Sequence, residues 1–388
     1  MPNSLSLERW ITALAFVSLA AYALVLSAVK PFHNWDTIGY IAVAESYEQP
    51  DVHALHAFTY AALQRALPPA QFEDLAQGPG AGRWPAYRRT VYTDDTVFAE
   101  QLAFYRVRPA YTGLVFALYK LGVDIEFATH FVSGLAAAAG LMLLYAAAMA
   151  RSRGLGLLLA PAAVLFGVLD LARFSTPDAL AFCAVMLAAW LLLRGHLRSL
   201  LVLLPLALCA RTDLVLFTAP LLAGLFLAMP QARMKILAAA AGSALVYLAI
   251  VTLARNPGWS TFFYCSAVQR CLHPVSEPPS VSADQYFGVL HTGTTALMHD
   301  PLFFMYLAML AAFAVLVRPR RGDPRWHSII GMPAMLLAAT ASVYVAARFL
   351  VYPAEWNRFF TAPYLVMTLA LVVVLDERAR TRLDPVAT

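Results

Sequence analysis

Of the 388 residues, 61% are hydrophobic and only 13% are charged, and the net charge at pH 7 is +5. Soluble domains carry roughly 25% charged residues, so this composition excludes an ordinary soluble enzyme and predicts an all-α polytopic membrane protein. The basic residues lie mostly in short loops, as is typical of residues that set the orientation of a membrane protein. They do not form the basic surface that binds nucleic acid, so no nucleic-acid partner is expected.

The first apolar run, residues 11–29, carries no charge and approaches the ~20 residues that cross ~30 Å of hydrocarbon. We interpret it as a retained transmembrane helix. Asp36 is the first acidic residue after it. A helix that begins near Asp36 would place Tyr40 on an apolar face, which we expect to lie flat on the membrane with Trp35 and Tyr40 at headgroup depth. There Asp36 is a candidate base for a hydroxyl group, and the alternative is that it only caps the helix.

Residues 30–126 form a long polar segment, which is predicted to fold outside the membrane as a loop with juxtamembrane helices. Its amphipathic stretches are 36–49, 52–66 and 94–105. The apolar run 109–121 is too short to span, and an interfacial helix is predicted there, with Lys120 reaching the headgroups. Arg108 precedes this helix and is expected to anchor it or to contact a phosphate.

Ten spans follow from the apolar runs, or eleven if 109–121 also crosses. They are 11–29, 127–150, 154–172, 177–193, 199–210, 214–229, 236–254, 301–317, 329–352 and 359–375. With ten spans, nearly all clustered basic residues of the short loops fall on one face, which is then cytoplasmic together with both termini. The opposite face receives the loop 255–300, where Cys265 and Cys271 are either free thiols or, in an oxidising compartment, a disulfide.

The connection that carries Arg211 and Asp213 joins two runs that are each too short to cross the membrane. One continuous helix would place Arg198 and Lys235 on opposite sides, so we predict a hairpin whose tip is sunk below the outer surface. A charge at that depth is costly unless it is paired or faces water. Arg211 is therefore predicted either to bind a phosphate or to neutralise Asp213.

Further charged and aromatic residues lie at the outer ends of the predicted spans: Arg173, Asp178, Trp356 and Arg358. Thr176 and Pro177 form an N-cap and first-residue pair for a helix whose positive end can hold a phosphate. Arg358 opposes the dipole of the last helix, which predicts an anion partner. His53 and His56 are spaced like two metal ligands on one helix face, but no third ligand is evident, so surface roles are favoured.

These motifs, in this order, resemble the glycosyltransferase C superfamily of multi-spanning transferases, and the resemblance covers most of the chain. The matching stretches are the D-x-x-x-Y setting of Asp36 and Tyr40, RPAYTGLVFALYKLG, ARSRG, TPDALAFCAVMLAAWLLLRG and RFFTAPYLVMTLALVV. The resemblance implies transfer of a sugar, with inversion, from a polyprenyl-phosphate donor to an acceptor hydroxyl of a lipid or cell-envelope glycan. Asp36 is then the general base.

The resemblance also implies roles for the other candidates. Donor-phosphate binding is expected of Arg211, Arg358, Arg173 and Arg108, and substrate binding of Tyr40, Trp35, Asp178, Asp213 and Trp356. Many members have an adjacent acidic pair, whereas Thr37 follows Asp36 here, so no metal or other cofactor is expected and a divalent ion is only an alternative. The site would face the extracytoplasmic side of a bacterial inner membrane, among membrane lipids.

Two other functions are compatible with the sequence. The first is a transporter or flippase of a lipid-linked sugar, although the chain shows no obvious internal repeat and its charges lie mainly at helix ends. The second is a non-catalytic assembly partner that binds a lipid or another membrane protein. Sugar transfer that depends on Asp36 would support the enzyme and would exclude both the transporter and the non-catalytic partner.

Overall fold

The structure is a computed structural model that describes residues 3–78, 83–152, 155–318, 332–354 and 357–383. Within these ranges the regular secondary structure is entirely helical, as predicted. The single β-type contact is an isolated parallel bridge between Phe32 and Phe174. This bridge joins the connection after the first helix to the segment that precedes Asp178.

The first eight α-helices are α1 (Asn3–Val29), α2 (Asp36–Glu45), α3 (Val52–Ala66), α4 (Pro69–Gln77), α5 (Arg83–Thr93), α6 (Asp95–Gln101), α7 (Pro109–Lys120) and α8 (Ile125–Arg151). Side-chain caps explain several starts: Asp51, Asp94 and Asp124 accept backbone N–H groups at the beginning of α3, α6 and α8. The three amphipathic stretches and the short helix after Arg108 are therefore confirmed as helices.

The remaining α-helices are α9 (Leu159–Leu165), α10 (Val168–Arg173), α11 (Asp178–Leu193), α12 (Leu197–Ala207), α13 (Val215–Ala228), α14 (Arg233–Leu253), α15 (Trp259–Phe263), α16 (Ala283–Leu297), α17 (Pro301–Leu316), α18 (Met332–Val351) and α19 (Thr361–Leu383). Every predicted span contains helix. The predicted span 154–172, however, is interrupted at Gly167, whose φ of 84° ends α9 and starts α10.

Among the described residues, four helical segments are long and apolar enough to cross a membrane: Leu7–Val29, Ile125–Arg151, Pro230–Leu253 and Pro333–Val351. A fifth span results if α16 and α17, which meet at 79°, count as one broken span. Four other apolar helices have only 10–17 residues, about 15–26 Å of helix, which is less than ~30 Å of hydrocarbon. The predicted count of ten is therefore not confirmed.

The α16–α17 pair also changes the interpretation of residues 255–300. The sequence predicted a second outer loop there, but α15 and α16 make much of it helical. Of the two alternatives for Cys265 and Cys271, the structure has the disulfide. The segment thus combines a disulfide-closed turn with a helix that leads into the next apolar helix.

Two hydrophobic cores share α8. Residues near its beginning, including Ile125, Ala128 and Val132, pack with α2 to α7, while its later residues pack with α1, α11 and the carboxy-terminal helices. Because one helix belongs to both cores, the segment 30–126 is held rigidly against the helix bundle. This shared helix brings the start of α2 next to the ends of α10, α11 and α19.

The prediction that α2 lies flat on a membrane surface is wrong. Every residue from Thr37 to Glu45 is buried, and Tyr40 is 2% exposed. Helices α3, α7 and α8 cover α2 on its other sides as well, which the apolar pattern of a single face did not indicate. Gly39 allows this packing, because a Cβ atom there would collide with the ring of Tyr105.

The predicted break near Arg211 is confirmed, since α12 ends at Ala207 and α13 begins at Val215. Arg198, at the start of α12, and Lys235, near the start of α14, line the same cleft of about 540 Å³. The chain therefore turns back between α12 and α13, as the hairpin prediction requires. Arg211 and Asp213 lie in this turn.

Candidate functional site

Asp36 begins α2 and is held by three polar side chains. Its Oδ2 atom lies 3.3 Å from Nη1 of Arg358 and 3.3 Å from Nδ2 of Asn34, and the Tyr105 hydroxyl donates to Oδ1 at 3.4 Å. Trp35, not Asp36, is the N-cap residue of α2, and it makes no capping hydrogen bond. The capping interpretation of Asp36 is therefore wrong. The carboxylate is 29% exposed and remains accessible.

Arg358 connects Asp36 to a second carboxylate. Its Nε atom lies 3.7 Å from Oδ2 of Asp178, which is 3% exposed. Asp178 is the first residue of α11, where a negative charge matches the helix dipole. Thr176 donates to the same oxygen at 2.7 Å. The predicted anion partner of Arg358 is thus supplied by the protein itself, and Asp178 fills the helix end that was predicted to hold a phosphate.

Arg211 completes the centre of this cluster. Its Nη1 atom pairs with Oδ1 of Asp178, and its Nε and Nη2 atoms form a two-point contact with Asp213 at 2.9 and 2.5 Å. The Arg211 side chain is 8% exposed. The alternative in which Arg211 and Asp213 neutralise each other is therefore the observed geometry.

The sequence analysis missed Arg348, the sixth member of the cluster. Its Nε atom lies 3.6 Å from Oδ2 of Asp213, and its guanidinium lies 4.2 Å from the ring centre of Phe359. The sequence does contain an indication of this role. Arg348 is a lone charge in an apolar run, and charges within such runs usually have a partner. We call the six residues the charge chain: Asp36, Arg358, Asp178, Arg211, Asp213 and Arg348.

The charge chain contains three acidic and three basic residues, so its formal charge is zero. Exposure is lowest at Asp178 and rises to 29% at Asp36 and 26% at Asp213. Between Asp178, Arg211 and Arg358 lies a cavity of only about 20 Å³, which is room for about one water molecule. A ligand can therefore reach the cluster at Asp36 or Asp213, but not at its centre.

The aromatic candidates lie beside Asp36. The ring of Tyr40 packs between those of Tyr105 and Tyr111, at centroid distances of 5.1 and 4.9 Å. Burial raises the pKa of Tyr40 to about 12, so its hydroxyl stays neutral at physiological pH. Trp35 is half-buried, with its ring 5.6 Å from that of Tyr87. Both aromatic side chains thus contact aromatic rings of the segment 84–111.

Two of the four predicted phosphate-binding arginines lie outside the charge chain. Arg108 donates to the Phe104 carbonyl and places its guanidinium 5.9 Å from the ring centre of Tyr40. Arg173 donates to the Lys30 carbonyl at 2.8 Å and lies 3.7 Å from Asp170. Both are therefore engaged with neighbouring elements of the protein.

The other predictions have mixed outcomes. Trp356 lies outside the described residues, so its predicted substrate contact has no structural counterpart here. Lys120 pairs with Glu48 at 2.8 Å, and both side chains are about half exposed, so its reach toward headgroups stays a prediction. His53 contacts Asp95, whereas His56 packs against Tyr60; in the described part of the chain, these histidines belong to no group of three metal-ligand residues.

One residue of the disulfide-closed turn also approaches Asp36. Arg270 lies over the Trp84 ring at 3.7 Å and donates to the Cys265 carbonyl at 3.2 Å. Burial lowers the pKa of Arg270, while charge interactions with Tyr87, with two further tyrosines and, to the smallest extent, with Asp36 act in the opposite direction. Nothing in the sequence pattern indicated this residue, because the disulfide and the packing of α5 bring it here from far along the chain.

A group of three metal-ligand residues was missed as well. His33, Glu126 and His130 offer ligand atoms that all lie within 4.8 Å of one another. The signal in the sequence was the i, i+4 spacing of Glu126 and His130 at the start of a span, but His33 comes from a different segment. We call these three residues the His–Glu–His cluster.

The chain matches no known protein family, no curated protein and no solved structure. The described part of the chain is all-helical and includes four or five helices able to span a membrane, together with a charge chain that ends in an accessible carboxylate.

Proposed function

We propose that this protein is a membrane glycosyltransferase that moves a sugar from a polyprenyl-phosphate donor to an acceptor hydroxyl, with inversion and with Asp36 as the general base. The observation that carries the proposal is the pair of Asp36 and Arg358, an accessible carboxylate and a guanidinium 3.3 Å apart. A base for the acceptor hydroxyl and a cation for the leaving phosphate are the two groups that such a displacement uses, and both are present at the exposed end of the charge chain. The resemblance to the glycosyltransferase C superfamily supplies the donor class.

In the proposed reaction, each bond that forms is matched by a bond that breaks, and Asp36 receives the proton. Asp36 takes the proton of the acceptor hydroxyl, whose oxygen forms a bond to the anomeric carbon of the sugar. The bond from that carbon to the phosphate oxygen breaks, and its electron pair leaves with the polyprenyl phosphate. Arg358 provides positive charge beside the site where the leaving phosphate becomes more negative.

The small size of the central cavity favours a donor position outside it. A phosphate does not fit into about 20 Å³ between Asp178 and Arg211, so the proposal places the donor against the exposed side of Asp36 and Arg358. Arg211 then acts through Asp178, which it holds in place beside Arg358. This assignment replaces the direct phosphate contact expected of Arg211.

The test is sugar transfer by the purified protein in lipid nanodiscs. Polyprenyl-monophosphate hexoses and pentoses serve as donors and a cell-envelope lipid extract as acceptor, and mass spectrometry detects the product. Asp36→Asn should abolish product, because the amide cannot accept the proton, and Arg358→Gln should lower the rate by about 100-fold or more. Asp170→Asn is the matched control, since its carboxylate is 66% exposed and belongs to the Arg173 pair.

Retained transfer in Asp36→Asn would exclude Asp36 as the base. A wild-type protein that moves lipid-linked sugar across the bilayer without forming a new glycosidic bond would be a transporter, and the enzyme proposal would be rejected. Folding of each variant is checked by its thermal unfolding, so that loss of product is not loss of structure.

A further inference from the structure

The His–Glu–His cluster has the composition of a metal site. Oε1 of Glu126 lies 2.6 Å from Nε2 of His33 and 2.9 Å from Nε2 of His130. Two imidazole nitrogens and one carboxylate oxygen form a donor set that suits a divalent first-row transition ion such as Zn²⁺. The side chains of His130, Glu126 and His33 are 1%, 11% and 17% exposed, so the site is enclosed but reachable from the side of His33.

Hydrogen positions around His130 support a cation between the rings and the carboxylate. Nδ1 of His130 lies 3.0 Å from the Arg173 carbonyl oxygen, and because that oxygen only accepts, Nδ1 carries a hydrogen. Nε2 then faces the Glu126 carboxylate either with a second proton or with its lone pair. A lone pair aimed at a carboxylate oxygen is repulsive unless a cation lies between them.

We propose that the cation is a metal ion and that His33, Glu126 and His130 bind one Zn²⁺ or a similar divalent transition ion. The carbonyl that fixes the tautomer of His130 is the usual outer partner of a metal-bound histidine. The Ser175 hydroxyl lies 3.0 Å from Nε2 of His130, so this hydroxyl or a water molecule is placed to complete a four-coordinate site.

The position of the cluster gives the metal a structural consequence. His33 lies in the connection between α1 and α2, three residues before Asp36, while Glu126 and His130 lie in the first turns of α8. Backbone contacts already join this connection to Arg173, with Phe32 N–H donating to its carbonyl at 2.9 Å. A bound ion would fasten the segment that carries Asp36 to α8.

The experiment measures the amount and affinity of bound metal and does not measure sugar transfer. Its result therefore does not depend on whether the protein is a glycosyltransferase. Tag-free protein in nanodiscs is stripped with a chelator, exposed to Zn²⁺ and assayed by elemental mass spectrometry and by competition titration. We expect one Zn²⁺ per chain in the wild type. Glu126→Gln should weaken the affinity by more than about 100-fold, since even the loss of an outer partner costs roughly 10–100-fold.

His53→Ala is the matched control, because its ring also contacts a carboxylate, Asp95, but is 85% exposed. This variant should bind zinc like the wild type. Zn²⁺ should also raise the unfolding temperature of the wild type and of His53→Ala, but not that of Glu126→Gln.

The proposal is overturned if the wild type takes up no zinc, in which case a proton bridges His130 and Glu126. It is also overturned if Glu126→Gln binds zinc as tightly as the wild type. Should Glu126→Gln fail to fold, His33→Asn replaces it, because His33 lies in a connection and its ring is partly exposed. Unchanged zinc affinity in that variant would equally reject the site.

Discussion

The carboxylate of Asp36 and the guanidinium of Arg358 lie 3.3 Å apart although 322 positions separate them in the sequence. Asp36 begins α2, whereas Arg358 precedes α19, so this contact joins the amino-terminal segment to the last helix. Arg358 also reaches Asp178. The orientation of the proposed base therefore depends on how α11 and α19 pack against α8.

Loss of Arg211 should destabilise the protein more than loss of an exposed cation. Arg211→Ala leaves Asp178 buried without its closest basic partner and Asp213 without its two-point contact. Breaking a buried pair by removing one partner costs about 3–5 kcal/mol. Thermal unfolding in nanodiscs should therefore show a large loss, whereas Lys120→Ala, at an exposed pair, should unfold like the wild type. Equal stability of the two variants would mean that the buried charges find other partners.

Gly39→Ala should disturb the site without removing any polar group. The added Cβ would collide with the Tyr105 ring, whose hydroxyl donates to Asp36. Overpacking of this kind costs about 1–3 kcal/mol, and displacement of Tyr105 should also reduce sugar transfer. Gly113→Ala is the control, since its Cβ would meet nothing within 4 Å and alanine favours a helix by roughly 0.5–1 kcal/mol. If both variants behave alike, Tyr105 moves aside freely.

The contact between Glu100 and the disulfide segment should depend on pH. Oε2 of Glu100 accepts the N–H groups of Val275 and Ser276 at 2.7 and 3.1 Å. Burial acts to raise the pKa of Glu100, but these hydrogen bonds outweigh it and hold the pKa below its ordinary 4.5.

A depressed folded-state pKa means that the stabilisation is present above pH 4.5 and is lost as the pH falls through the lowered value. The protection of the Val275 and Ser276 amides against hydrogen exchange, corrected for the intrinsic pH dependence of the exchange rate, should therefore fall on acidification. Glu100→Gln should remove most of this dependence. An identical pH profile in the variant would assign the effect to another group.

The cysteines provide a test of orientation. Cys265 and Cys271 are bonded, whereas Cys183 and Cys209 are free. In protein from native membranes, alkylation without reductant should label only the latter pair, and a bridged peptide should contain Cys265 and Cys271. Since disulfides persist in oxidising compartments, this result supports an extracytoplasmic position of the turn. Free thiols at both positions in native membranes would contradict it.

Local sequence patterns were sufficient to predict the helical class and most helix positions. Long uncharged runs and polar caps act locally, because backbone hydrogen bonds in a helix join residues four apart. The break at Arg211 also followed from run lengths and charge alone. A charged side chain near an apolar run costs free energy unless it has a partner. This rule singled out five members of the charge chain from the sequence: Asp36, Arg358, Asp178, Arg211 and Asp213.

Which of these charges meet depends on how the helices pack against one another. Arg348 joins the charge chain, whereas Arg173 and Arg108 bind carbonyl groups elsewhere. Contacts between distant segments depend on helix packing, and no periodic pattern in the sequence predicts them. The burial of α2 arose in the same way, from neighbours that its own pattern does not reveal. His33 meets Glu126 and His130 only because the connection after α1 folds back on α8, a long-range contact that spacing along one chain does not encode.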